Sequence, residues 1–346
     1  MLDIERYSQS LIDEMIRREA TDVHFIPLAD CYELTYRRGG ERFVWKKIST
    51  PVAIRLISHF KYRSGMNIGE RRRPQSASMR YDHASRTYSL RLSTLPANGR
   101  ESLAIRLLPH TTFQTVDTIP LLSSTKSVLC KISQLEQGLC LISGPTGSGK
   151  TTTLYAIVEQ LIAEQKKMVI TIEDPIERPI ASTVQVEVNE KAGLTFANIL
   201  RASLRHDPDA MLIGEIRDEE TAMLAIRAAL TGHLILATVH ASNSVSAVLR
   251  MLHFGISKSD LASCLRYVLS QRLVRLRCAF CKDRSPYCHY CFKRGALFDV
   301  LAGEALYEAI FSPPQKIERR FYRQALKAWM LGYVGNDELK RVAYET

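Results

Sequence analysis

Residues 144–151, Gly144-Pro145-Thr146-Gly147-Ser148-Gly149-Lys150-Thr151, constrain this chain more than any other stretch. They follow the apolar run Leu139 to Ile142, which has the length of a buried strand, and precede Thr152 to Val158, which reads as the opening of a helix. A G-x-x-x-x-G-K-[ST] pattern between a strand and a helix is a phosphate-cradling loop. Its glycines let successive backbone N–H groups turn inward, and the helix N-terminus adds partial positive charge. In such a loop Lys150 reaches the β- and γ-phosphates, Thr151 holds Mg²⁺ and Thr152 continues the cradle. The plainer reading, a glycine-rich turn, loses ground to the acidic motifs downstream.

The chain has 346 residues, enough for two domains and a sizeable core. No apolar run approaches the roughly 20 residues of a membrane span. Met1-Leu2-Asp3-Ile4-Glu5-Arg6 opens an acidic, polar helix rather than a signal peptide, so a cytoplasmic location is expected. The net charge of +11 divides unevenly, with +7 over residues 1–110, −3 over 111–265 and +7 over 266–346. Basic ends meet nucleic acid, an anionic membrane surface or simply solvent.

Residues 1–20 place Ile4, Tyr7, Leu11, Ile12, Met15 and Ile16 at helical spacing. Strand-like runs follow at 22–25, 31–36 and 42–45, with Gly39-Gly40 as a hairpin turn, then a helix near 51–60. Two alternating strands, 88–94 and 101–108, complete a small α/β domain over residues 1–110. The Thr-, Ser- and Pro-bearing stretch 111–125 reads as a linker. Arg91 lies between Leu90 and Leu92, and Arg106 between Ile105 and Leu107, so each points away from the apolar face of its strand. They are either solvated surface or phosphate ligands for a neighbouring subunit's nucleotide.

Beyond the P-loop, Met168 to Ile172 reads as a buried strand ending in Glu173-Asp174-Pro175-Ile176-Glu177. Carboxylates at a strand's C-terminal end sit where open α/β sheets keep their ligands. Glu173 and Glu177 either position metal and water or form a charged loop. Ala210 to Ile213 is a third apolar strand, ending at Gly214-Glu215, and Glu215 is the candidate general base or orienter of the attacking water. A fourth strand, Leu234 to Val239, ends at His240, which either senses the γ-phosphate or is structural. Cys278-Ala-Phe-Cys281 and Cys288-His-Tyr-Cys291 form two C-x-x-C pairs, the pattern of a closed structural Zn²⁺ site, with disulfides as the alternative. Residues 316–330 form a basic amphipathic helix with Phe321, Ala325 and Trp329 on one stripe, facing the body of the protein or a membrane or partner.

Taken together, these motifs resemble the traffic ATPases of type II secretion, type IV pili and competence pili. Thr21-Asp-Val-His24 is similar to the family's N-terminal motif. Arg91 to Pro96 with Ile105 to Leu108 resemble its paired arginine strands, residues 171–177 its acidic box, 213–218 its Walker B segment and 231–240 its histidine box. The resemblance implies a PAS-like N-terminal domain over 1–110, a RecA-like P-loop ATPase core over 126–272, and a tetracysteine zinc knuckle with helices over 273–346. It implies a homohexamer whose subunits share Arg91 and Arg106 in trans, with ATP and Mg²⁺ between the two domains and a hinge in the linker. The expected partner is a polytopic inner-membrane platform protein, placing the ring on the cytoplasmic membrane face.

Within the family that these motifs resemble, the tetracysteine pattern implies an assembly rather than a retraction motor. The short N-terminus is most similar to late-competence members, which power a pseudopilus for uptake of transforming DNA. Type II secretion and other type IV pili are the alternatives. A nucleic-acid translocase on the same core lacks the aromatic–basic interleave of single-strand binders, so no direct nucleic-acid binding is expected. Three departures stand out: Ala241 replaces a usual Thr, Arg37-Arg-Gly-Gly40 replaces Arg-x-Asp-Gly, and the zinc loop is short.

Overall fold

The computed structural model describes residues 3–84, 86–97, 99–109, 114–280, 293–312 and 320–345. The chain divides into two compact units, Met1–Thr112 and Phe113–Thr346.

The first unit contains α1 (Ile4–Arg17), β1 (Asp22–Pro27), β2 (Cys31–Arg38), β3 (Glu41–Ser49), α2 (Thr50–Arg63), β4 (Gln75–His83), β5 (Arg86–Ala97) and β6 (Arg100–Pro109). Its strands form one antiparallel sheet in the order β3-β2-β1-β6-β5-β4. Asp3 starts α1 by accepting the backbone N–H groups of Glu5 and Arg6. Leu11, Ile12 and Met15 on α1 and Leu56, Ile57 and Phe60 on α2 bury against Val23, Phe25, Leu34, Leu90, Leu92, Leu103 and Ile105 of the sheet. Strand alternation therefore sends Arg91 and Arg106 to the other side. Beneath the core edge, the buried Lys61 ammonium donates to Glu101 Oε1 at 2.7 Å and to the Glu70 carbonyl at 2.6 Å, so its charge is neutralised where water is excluded. β4 has no counterpart in the strands expected from sequence. It is an edge strand whose only apolar residues touching the core are Ala77, Met79 and Tyr81.

The second unit runs α3 (Ser123–Ser133), β7 (Gly138–Ser143), α4 (Lys150–Gln165), β8 (Val169–Glu173), β9 (Thr183–Glu187), α5 (Phe196–Ser203), β10 (Ala210–Ile216), α6 (Glu219–Leu230), β11 (Leu234–Val239), α7 (Ser244–His253), α8 (Lys258–Cys264), β12 (Leu265–Arg275), β13 (Arg294–Ala302), α9 (Gly303–Phe311), α10 (Arg320–Met330) and α11 (Asn336–Glu345). The sheet order is β13-β12-β7-β11-β10-β8-β9. Every neighbouring pair is parallel except β12 and β13. Both faces are covered. Leu139, Leu141, Met211 and Ile235 meet residues of α5 to α9, while Cys140, Ile142, Leu212 and Leu236 meet α3 and α4. This is why β7, β8 and β11 are buried along their whole lengths and read as unbroken apolar runs.

Val116, Ile119 and Leu122 of the expected linker are buried in the second unit. The Leu121 N–H donates to the Ala296 carbonyl at 2.9 Å, tying this segment to β13. The expected boundary between residues 272 and 273 falls inside β12, and β13 pairs along β12 from Tyr267↔Ala302 to Arg275↔Arg294. Cys278 follows β12, while Cys281, Cys288 and Cys291 lie outside the described residues. The C-terminal helix does face the body of the protein: Phe321, Ala325 and Ala328 of α10 bury with Leu122, Val274, Leu297 and Val342. Trp329 departs from the expected stripe. It is 40% exposed, its indole N–H donates to Asn336 Oδ1 at 2.6 Å, and Ala328 takes the inward place.

Candidate active site

Parallel strands share one direction, so the segments after β7, β11, β10 and β8 emerge at the same sheet edge. The P-loop follows β7, His240 follows β11, Glu215 stands near the end of β10, and Glu173 closes β8. Residues spread over about a hundred positions are thereby gathered at one edge.

The P-loop conformation demands its glycines. Gly144, Gly147 and Gly149 adopt φ of +144°, +77° and +89°. A Cβ on Gly144 would stand 2.4 Å from the Gln271 carbonyl oxygen, and one on Gly149 2.9 Å from Gln271 Nε2. The loop therefore lies directly on β12, and the Thr153 hydroxyl completes the seat by donating to Gln271 Oε1 at 2.8 Å. Lys150 donates from Nζ to the carbonyls of Gly144 at 2.8 Å and Pro145 at 3.1 Å. Burial lowers its pKa, and Glu215 and Glu177 work against that shift. The Ser148 hydroxyl is buried and has no hydrogen-bond partner among the described residues. An orphaned donor, inward-turned glycines and an ammonium within one loop fit a polyphosphate. Of the other residues expected in the cradle, Thr146 lies in the loop and Thr152 in the first turn of α4.

Beside the loop is a cleft lined by Thr151, Glu173, Asp174, Glu177, Glu215 and Arg217, among others. Glu177 Oε1 lies 3.5 Å from the Thr151 hydroxyl. Hydroxyl and carboxylate oxygens at this spacing suit a hard cation such as Mg²⁺. Glu215 stands where the β10–β11 register shifts between Ile213 and Ile216, and this irregularity turns its side chain toward the cleft. Arg217 donates to Glu215 Oε2 at 2.8 Å and to Asp174 Oδ2 at 3.3 Å, and the Glu215 hydrogen bond is the chief cause of its raised pKa. Glu173 differs from its neighbours. It is 3% exposed, and its oxygens already accept from Tyr155, Thr171 and Gln185. His240 is exposed and is not among the side chains lining this cleft.

In the first unit, Arg91 and Arg106 are direct cross-strand partners on β5 and β6. Arg106 Nε donates to Asp22 Oδ1 at 2.8 Å, while Arg91 Nη2 is buried without a partner among the described residues. No three His, Cys, Asp or Glu side chains are arranged to hold a metal ion by themselves among the described residues, and three of the four clustered cysteines lie outside them. Sequence reasoning overlooked Tyr155, Arg217 and Gln271. Only Tyr155 carried a usable signal, since it stands four residues beyond Thr151 and so shares its helix face.

Glu177→Gln and Glu215→Gln should each retain nucleotide binding while lowering kcat by about 10²- to 10⁴-fold. Turnover assays beside binding of a fluorescent ADP test this; a variant within twofold of wild-type turnover would lose its assigned role.

The profile of the Type II/IV secretion system protein family matches residues 2–318. Competence protein ComGA of Halalkalibacterium halodurans is 40% identical over 353 residues, spanning 99% of this chain and 100% of its own. ComGA of Bacillus subtilis is 37% identical over 352 residues, with 99% of each chain covered. Among solved structures, the Legionella pneumophila ATPase DotB superposes with a TM-score of 0.76 over 98% of this chain and 96% of its own, at 19% identity, a likeness of fold. A P-loop seated on a parallel sheet, opposed by acidic strand ends, thus comes with a family match over most of the sequence: the chain belongs to the Type II/IV secretion system protein family and is an ATP-hydrolysing enzyme.

Proposed function

We propose that this chain is the ATPase motor that powers assembly of a competence pilus-like filament for uptake of transforming DNA. The observation that carries the reading is the end-to-end match to two competence proteins, each covered over at least 99% of its length. Type II secretion relatives match over less of both chains, with 57% of the Klebsiella pneumoniae protein E covered.

Within this reading the second unit is a RecA-like core. The P-loop amides, Ser148 and Lys150 bind the phosphates of ATP, and Thr151 with Glu177 holds Mg²⁺. Hydrolysis of the terminal phosphoanhydride, in which water bonds to the γ-phosphorus and ADP leaves with inorganic phosphate as the other product, supplies the free energy. Glu215 orients and deprotonates the attacking water, and Arg217 keeps that carboxylate in place. His240, at the end of the strand between those bearing the P-loop and Glu215, reports the state of the phosphates. Six copies form a ring that bears on a polytopic membrane platform protein from the cytoplasmic side. Movement of the two units accompanies the cycle, and residues 116–125, packed into the second unit, move with that unit rather than acting as the hinge.

Arg91 and Arg106 act on the nucleotide of a neighbouring copy. Like charges directly opposite each other on a sheet are unfavourable, and an anion between them relieves the repulsion. Cys278, Cys281, Cys288 and Cys291, in the sequence between β12 and β13, hold a structural Zn²⁺.

Three measurements check these assignments. Lys150→Ala in the chromosomal copy should abolish transformation and leave protein secretion intact; the reverse pattern would move the motor to another machine. Arg91→Ala should bind nucleotide yet lose about 10³-fold in turnover. Mixing it with Lys150→Ala protein should restore part of the activity, and no recovery at any ratio would exclude action across subunits. Elemental analysis should find about one zinc per chain, lost in the Cys278→Ser/Cys281→Ser protein; a metal-free wild type would remove that site.

A further inference from the structure

The helix that carries the P-loop is fastened to the acidic loop along a single stripe. Thr151, Tyr155 and Glu159 are spaced four residues apart on α4 and share one face. Each meets the segment 173–178. The Thr151 hydroxyl lies 3.5 Å from Glu177 Oε1. The Tyr155 hydroxyl accepts the Glu177 backbone N–H at 3.3 Å and donates to Glu173 Oε2. Glu159 pairs with Arg178 at 2.6 Å, and the Arg178 guanidinium lies 4.9 Å from the centre of the Tyr155 ring.

Tyr155 sits in the middle of this stripe and is 1% exposed. Burial, with the Glu173 charge beside it, holds its hydroxyl well above the usual tyrosine range, so the phenol stays protonated and keeps donating. Glu173 is anchored from the other side as well. Its Oε1 accepts from Thr171 at 2.7 Å and from Gln185 at 3.2 Å, which ties it to β8 and β9. A buried carboxylate with three donors is a fixed point rather than an open ligand.

We propose that Tyr155 is a positioning residue for ATP hydrolysis, holding the Glu177 backbone against the P-loop helix and using Glu173 as its anchor. Through it, Thr151 and Glu177 are held in one geometry. Glu173 accordingly works through Tyr155 rather than on the metal itself. The proposal rests on the reading of Glu177 as the carboxylate that organises metal and water.

Tyr155→Phe removes one oxygen and leaves the ring under Arg178. Turnover of the full chain is measured against Mg²⁺ concentration at saturating ATP, alongside fluorescent-ADP binding and thermal unfolding. The expected result is a kcat lowered about tenfold to a hundredfold, a KM for ATP within about twofold of wild type, and a several-fold higher Mg²⁺ concentration for half-maximal rate. Glu173→Gln should give the same shift. The double variant should be no worse than either single one, because both break the same linkage. Leu129→Ala, a cavity in the neighbouring core, should lower the unfolding temperature and leave the Mg²⁺ dependence unchanged.

Wild-type turnover and Mg²⁺ dependence in Tyr155→Phe would overturn the proposal. If that variant does not fold, Glu173→Gln decides on the same readouts. A crippled Glu177→Gln beside a silent Tyr155→Phe removes only the role of Tyr155. Silence in both removes the reading of Glu177 as well.

Discussion

The approach of the P-loop to β12 is the contact on which the rest of the site depends. At Gly144 the separation is too small for any Cβ, because the Gln271 carbonyl would lie 2.4 Å away. β12 is the parallel neighbour of β7, with Ser270 opposite Ser143, so the floor of the loop is a strand more than 120 residues downstream. The Gln271 side chain then holds Thr153 in the first turn of α4. The direction of the phosphate-binding amides is therefore set by the sheet beneath as much as by the loop's own glycines. Lys150 is half-buried beside this loop, where its charge is costly unless it faces anions or carbonyl oxygens.

Gathering strand ends at one edge also gathers like charges. Glu173, Asp174, Glu177 and Glu215 line one cleft. Their repulsion is relieved by different means. Arg217 bridges Glu215 and Asp174, while Glu173 is enclosed by neutral donors and taken out of the solvent-facing set. This division leaves Glu177 facing Thr151 and Glu215 held by Arg217, both lining the cleft. The first unit shows the opposite bias, with Arg91 facing Arg106 and the Asp22 carboxylate engaging only the latter.

Much of this was legible in the residues. Strands buried on both faces must be apolar throughout, so β7, β8, β10 and β11 stood out as runs between polar loops, and the motif residues fell at their ends. Of the strands that escaped notice, β4, β9 and β13 are sheet edges, whereas β12 lies inside the sheet between β7 and β13. An edge strand needs fewer apolar residues, and Gln75-Ser-Ala-Ser-Met-Arg-Tyr-Asp-His83 and Thr183-Val-Gln-Val-Glu187 carry too few to mark themselves. The stripe on α10 was misplaced by one residue at its end because Trp329 satisfies its indole N–H on Asn336 at the surface, and small Ala328 fills the inward position.

The sequence by itself determined the chemistry: a phosphate loop at 144–151, acids after two buried strands, and an arginine on each of two alternating strands. Local rules suffice there, since glycine freedom, strand periodicity and helix polarity act over a few residues. Only the tertiary structure decided which of those acids stand open to the cleft and which is enclosed. Glu173 and Glu177 are four residues apart in one acidic segment, yet one is bound by Tyr155, Thr171 and Gln185 and the other faces Thr151. That difference depends on where α4 and β9 lie against β8, and distant segments meeting across a sheet leave no periodic trace in the chain.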